Sequence, residues 1–304
     1  MRIVLNGQQA FGKSVLEAVV ERGHEVIAVY CPADQAGRPT DPLTAAAVER
    51  GLIIHQAATF KSAEALETLA ELTPDLCIMA FVTKIVPAAF LDLPRHGTIQ
   101  YHPSLLPRHR GPSSINWPII QGETHTGLSI FWPDDGLDTG PILLQKEVEI
   151  APDDTLGSVY FDQLFPLGVA AMVEAVDLVS DGKAPKIAQR ESGATYESWC
   201  RKEDVEIDWN RPADEVYNLI RGANPQPGAW TTLDGNILQI YDAARIDEPA
   251  GAPGEITSID DAGIAIATGG GQILVKRVRP DGGGKTAAAE FAAEQNVATG
   301  TRLG

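Results

Sequence analysis

Apolar and polar positions along the first half of this chain follow two alternating periods. Arg2 to Asn6 is a short apolar run that opens on Gly7, and a stripe at helical spacing follows from Gly12 to Arg22. Glu25 to Cys31 is a second apolar run, and the order then repeats. A helix is predicted near Pro42 to Arg50, a strand at Leu52 to His55, a helix from Ser62 to Leu72 and a strand at Leu76 to Phe81. Short apolar runs separated by amphipathic stretches predict an α/β fold, a Rossmann-like parallel sheet whose crossovers are helices. Ile99 to His102 and Leu128 to Trp132 are expected to add strands. Their carboxyl ends would bring His102 and the acidic loop after Trp132 to one edge, where ligands of open α/β sheets bind.

The second half changes period. Pro152-Asp153-Asp154-Thr155 starts a helix expected to run through Met172 and Val179 and to end near Asp181-Gly182. A linker with few apolar residues follows, then a helix from Pro212 to Arg221. Ile237 to Tyr241, Gly254 to Ile259, Gly263 to Thr268 and Gln272 to Val278 read as short strands between turns, which predicts a small OB-like β-barrel. Asp281 to Gly284 reads as a loop, with a short Ala-rich helix after it. The expected domains are 1–182, a linker at 183–204, and 205–304.

Candidate chemistry concentrates in GTIQYHPSLLPRHRG, Gly97 to Gly111, and in Asp134-Asp135-Gly136-Leu137-Asp138-Thr139-Gly140. Each follows an apolar run, so His102 and Asp138 are placed to meet at a strand end. Histidine titrates close to neutrality, and a neighbouring carboxylate favours its cationic form, which can donate to a developing negative oxygen. Each residue also has a plain structural role open to it. His102 can be satisfied by a backbone carbonyl, Asp138 can serve a turn, as can Asp134 and Asp135, and Ser104 can cap a turn. Arg108-His109-Arg110 is either an anion-holding cluster or a solvated loop.

These two segments resemble the formyltransferases that use 10-formyltetrahydrofolate, whose hallmark is Asn-x-His-x-Ser followed by Leu-Asp-Thr-Gly. The family's His, Ser and Asp fall on His102, Ser104 and Asp138, while Gln100 stands where the family has Asn. Together with Ser129-Ile130-Phe131-Trp132 and Gly193-Ala194-Thr195-Tyr196, the segments are most similar to the hydrolase domain of 10-formyltetrahydrofolate dehydrogenase, over Met1 to about Thr232. The resemblance implies a formyl group passed to a small amine or to water, with His102, Asp138, Gln100 and Ser104 as site residues. It also implies that Asp138 orders a water that shuttles a proton. The apolar loop after Leu76 to Phe81, with Phe81, Val82, Ile85 and Val86, would line a pterin pocket together with Leu105, Asp135 and Asp138; a core-packing turn is the other reading. The partners implied are a folate and a small formyl acceptor, with no metal. Gln100 keeps an amide but carries one methylene more than Asn. It either donates to the oxyanion with altered geometry or is released from that duty, in which case the protein binds folate without turnover or leans toward hydrolysis.

Composition narrows the partners. The 304 residues carry a formal net charge of -17, and Val205 to Gly304 holds eight Lys and Arg against fourteen Asp and Glu, a balance of 8 − 14 = −6. Binding a phosphate backbone relies on Lys and Arg contacts, so methionyl-tRNA is disfavoured as acceptor. The loop from Cys31 to Asp41 likewise has one arginine, Arg38, against Asp34 and Asp41. Cys31, Cys77 and Cys200 are isolated, without CxxC spacing, and are expected as buried thiols. With no run of 18 apolar residues and Met1 passing directly into a strand pattern, no membrane span and a cytoplasmic location are expected. GQQAFGKS, Gly7 to Ser14, fits the phosphate-loop spacing G-x-x-x-x-G-K-[ST], but the strand ending Met79-Ala80-Phe81 supplies no metal-holding acid beside it.

Overall fold

The computed structural model describes all residues from Met1 to Gly304, which form two units, each discontinuous in sequence. The first comprises Met1–Ser114, Gly127–Val148 and Gln163–Glu197; the second comprises Ile115–Thr126, Glu149–Asp162 and Ser198–Gly304. In chain order the elements begin with β1 (Arg2–Gly7), α1 (Gln9–Glu21), β2 (Glu25–Tyr30), α2 (Pro42–Glu49), β3 (Ile53–His55), α3 (Ala63–Leu72) and β4 (Leu76–Ala80). They continue with α4 (Ala88–Leu91), β5 (Thr98–His102), α5 (Asn116–Ile120), β6 (His125–Phe131), β7 (Ile142–Glu149), α6 (Leu156–Ser158) and α7 (Phe165–Ser180).

The sheet order is β3-β2-β1-β4-β5-β6-β7. The first five strands pair in parallel, as the strand and helix alternation predicts, but β6 is antiparallel to β5. His102 stands opposite Ser129 and Gln100 opposite Phe131. The carboxyl ends of β5 and β6 therefore lie at opposite ends of the pair, which corrects the expectation that both strands deliver their residues to one edge. The acidic loop after Trp132 has to fold back to reach His102.

Both sheet faces are covered by apolar side chains. On one, Phe11 of α1 packs on Tyr101 of β5 and Phe165 of α7, with ring centroids 4.4 and 5.5 Å apart. Gly168 permits this closeness, since a Cβ there would stand 2.6 Å from the Tyr101 ring. On the other, Tyr30, Phe60 and Phe90 cluster with Val4, Cys77 and Met79; each large apolar side chain buried in this way contributes about 1.5–3 kcal/mol. Burial pushes the Cys77 thiol up to about 12 and the Cys200 thiol up to about 11, so neither offers a thiolate near neutrality. The helical run Leu156–Ser180 is long and apolar enough to cross a membrane by length and composition. Its stripe of Gly168, Ala171, Met172, Ala175, Val176 and Val179 is buried in the protein, which accounts for the apolarity.

The second unit contains α8 (Ala213–Gly222), then β8 (Ala229–Leu233), β9 (Asn236–Ile240), β10 (Ala243–Ile246), β11 (Ile256–Asp260), β12 (Gly263–Ala267), β13 (Gln272–Val275), β14 (Arg277–Pro280), β15 (Thr286–Ala287) and α9 (Ala288–Gln295). This is the small strand-rich domain expected from the turn spacing. Its strands form two four-stranded sheets, β10-β13-β12-β11 and β15-β14-β9-β8, around one core that includes Trp209, Val216, Ile220, Ile240, Ile264, Ile273 and Phe291. The single run expected from Gln272 to Val278 is split between them. The N–H groups of Lys276 and Arg277 both donate to the Asp242 carbonyl, at 2.7 and 3.2 Å, and the chain changes sheet there.

Candidate active site

His102, the last residue of β5, and Asp138 converge. Nδ1 of His102 lies 3.7 Å from Oδ2 of Asp138, and the two side chains are 6% and 9% exposed. Nε2 of His102 is 2.9 Å from the carbonyl oxygen of His109. A carbonyl only accepts, so Nε2 carries a hydrogen, and Nδ1 is the ring nitrogen that faces the carboxylate. At 3.7 Å the pair attracts electrostatically without a hydrogen bond. Asp138 Oδ2 instead accepts from the Gly111 N–H at 2.9 Å. Both side chains are nearly enclosed by their own loops.

Those loops are tightly specified. Asp134 Oδ1 accepts from the Gly136 N–H at 3.0 Å and the Thr139 hydroxyl at 2.6 Å, an Asx turn that folds the loop back. Gly140 sits where a Cβ would lie 1.8 Å from the Trp132 carbonyl oxygen, so this return admits only glycine. Asp138 has φ +56° and His109 φ +54°, left-handed conformations that persist only where surroundings impose them.

The remaining expected site residues divide. Gln100 shares a face of β5 with His102 through strand alternation, is half-buried, and makes no side-chain hydrogen bond to protein. Ser104 is fully buried, and its hydroxyl donates to the Arg108 carbonyl at 2.7 Å. That is the turn-capping role. Phe81 is 45% and Ile85 80% exposed, with Val82 partly buried; Phe81 has φ +65°, so the loop after β4 presents apolar surface. Val86 is instead packed in the core with Phe60 and Phe90. Leu105 is half-buried and Asp135 exposed.

Arg108-His109-Arg110 is not an open anion-holding cluster. Arg110 is fully buried and His109 nearly so, with His109 Nδ1 3.2 Å from Glu197 Oε1. The Arg110 guanidinium meets Gln189, Glu191 and Tyr196, and its hydrogen bond holds the Glu191 carboxyl below the usual carboxylate range. Sequence reading left these downstream partners out.

The phosphate-loop reading of Gly7 to Ser14 also falls. The N–H of Gln9 that opens α1 donates to both oxygens of Asp41, at 3.1 and 2.9 Å, and Lys13 is 3.9 Å from Glu17. The chain's own carboxylate stands where a phosphate would bind. A cavity of about 430 Å³ lined by Arg95, His96, Gly97, Trp132 and Lys186 borders the start of β5 and the end of β6. It contains neither His102 nor Asp138.

The formyl transferase family model matches residues 1–176, and the formyl transferase C-terminal domain model matches residues 200–296. Mitochondrial 10-formyltetrahydrofolate dehydrogenase of Mus musculus is 41% identical over 276 residues, 88% of this chain and 30% of that protein. Methionyl-tRNA formyltransferase of Geotalea daltonii is 37% identical over 309 residues, 100% of this chain and 98% of that protein. The chain thus spans about a third of the length of the dehydrogenases it matches. HypX from Aquifex aeolicus, solved with tetrahydrofolic acid, aligns with a TM-score of 0.70 at 20% identity, covering 98% of this chain and 48% of that one. An N-formyltransferase from Helicobacter canadensis, solved with folinic acid and dTDP-3-aminofucose, aligns with a TM-score of 0.68 at 16% identity, covering 90% and 98%.

Proposed function

We propose, from the premise that this chain belongs to the formyl transferase family, that it takes the formyl group of 10-formyltetrahydrofolate and passes it to a small amine or to water. The observation that carries this reading is the convergence of His102 Nδ1 and Asp138 Oδ2 at 3.7 Å, with the opposite ring nitrogen already committed to the His109 carbonyl. Tetrahydrofolate bound by a related fold and the exposed apolar loop at Phe81 and Ile85 support a flat heterocycle as donor.

Formyl transfer forms a bond from the acceptor's nitrogen or oxygen to the formyl carbon, through a tetrahedral oxyanion, and then breaks the bond from that carbon to the folate nitrogen. His102 donates from Nδ1 to the oxyanion and stabilises it. Asp138 receives the proton that the nucleophile loses, directly or through one water, and that proton goes to the departing folate nitrogen. Gln100, on the same strand face and without a protein partner, is the candidate second donor.

The direct test is an acceptor screen that follows the appearance of tetrahydrofolate, with a control lacking acceptor. Release in the control identifies hydrolysis; release only with an amine identifies transfer; none in any arm overturns the reading. Similarity to methionyl-tRNA formyltransferase over the whole chain supports methionyl-tRNA as a second acceptor, against the net charge of -17. Affinity for tRNA that falls steeply with salt would decide for it.

Gln100→Asn probes the second donor. One oxyanion donor is worth about 10²–10³ in kcat, so moving the amide back by one methylene is expected to change turnover at least about tenfold and to alter the ratio of amine formylation to hydrolysis. An unchanged ratio removes Gln100 from acceptor choice.

A further inference from the structure

Arg110 is the largest fully buried side chain of the protein, and the chemistry just described makes no use of it. Its guanidinium donates from Nε and Nη2 to Oε1 of Gln189, at 3.1 and 2.8 Å. It also donates from Nη1 and Nη2 to the two carboxylate oxygens of Glu191, at 3.1 and 2.8 Å, and lies over the Tyr196 ring, 5.0 Å from its centroid. Gln189 in turn donates from Nε2 to the backbone carbonyls of Asp138 and Gly140, at 2.8 and 2.7 Å.

The two ends of an amide side chain have nearly the same shape, so partners decide which way it points. A guanidinium offers donors only. Arg110 therefore fixes Oε1 toward itself and turns the Gln189 NH₂ onto the acidic loop. Gly111, the next residue, holds the Asp138 carboxylate through its own N–H at 2.9 Å. Asp138 is thus gripped at its backbone and at its side chain, in a left-handed conformation with φ +56° that needs outside support.

We propose that Gln189, oriented by Arg110, is the positioning residue that sets the Asp138 carboxylate against His102; the inference rests on the reading of that pair as the formyl-transfer site. Gln189→Glu tests it sharply. The change keeps size and shape and improves the partner for Arg110, yet it replaces two donors to the loop with acceptors facing carbonyl oxygens. A group that only fills space or anchors Arg110 would tolerate it.

The expected result is a fall in kcat of about 10²-fold, the size associated with a displacement of about 1 Å near the reacting groups, with KM for the formyl donor unchanged. Amide hydrogen exchange across residues 134–141 should quicken. Gln189→Ala, which removes the donors without adding charge, carries the same expectation and serves where Gln189→Glu does not fold. Wild-type kcat and wild-type loop exchange in Gln189→Glu overturn the proposal. Wild-type protein that turns over no formyl donor overturns the functional reading instead, while the exchange measurement still decides whether Gln189 holds the loop.

Discussion

His102→Ala is expected to lower kcat for tetrahydrofolate release by about 10²–10³-fold, since the substitution removes the oxyanion donor. It is also expected to lower stability. The ring is buried, its Nε2 bonds the His109 carbonyl at 2.9 Å, and its face meets Phe131 edge-on, centroids 6.5 Å apart. Losing that bond and opening a cavity costs about 2–4 kcal/mol. The two effects separate experimentally: a folded variant by circular dichroism that still binds tetrahydrofolate but releases none supports the role, and one within tenfold of wild-type kcat removes His102 from the chemistry.

How much of this was legible from the residues depends on whether the information is local. Apolar periodicity marked β1, β2, β4 and the helices between them because each buries a face that its own sequence defines. Strand direction is not local. The run from Leu128 to Trp132 reads the same either way, so the antiparallel pairing of β6 with β5 had no signature in it. β7 was passed over. Its residues alternate ILLQKEVE, with only the start fully buried, as suits the last strand of the sheet, and the polar half reads as loop. The pair His102 and Asp138 could be named because each sits in a motif beside a turn. Arg110 could not be read as buried, since Gln189, Glu191 and Tyr196, which make its burial tolerable, lie some eighty positions on. A charged residue is expected outside unless paired, and sequence spacing does not reveal the pair. Ser104 shows the opposite case: its cap on the Arg108 carbonyl is local, and the turn-capping alternative was already visible in Pro-Ser-Leu-Leu-Pro.

Asp138→Asn is expected to cost at least as much turnover as His102→Ala, roughly 10²–10⁴-fold for the loss of the proton-transfer group, but with almost no loss of stability. Asn occupies left-handed backbone as readily as Asp, so φ +56° is no obstacle. Its amide oxygen can still accept from the Gly111 N–H, as Oδ2 does at 2.9 Å, and the loop contacts from Gln189 are to the backbone and do not change. Only the negative charge is removed, and with it the acceptor for the nucleophile's proton and the attraction acting on His102 across 3.7 Å. A thermal unfolding profile matching wild type, with kcat reduced by that factor, isolates the charge as the working part; turnover within tenfold of wild type would mean that the carboxylate is a loop residue alone. The double variant His102→Ala/Asp138→Asn sharpens the point. If the two groups act as one unit, the pair of substitutions costs little more than the worse single one, because removing either already stops the unit. Full multiplication of the two losses would show that they act in separate steps, and the 3.7 Å approach would then be proximity without partnership.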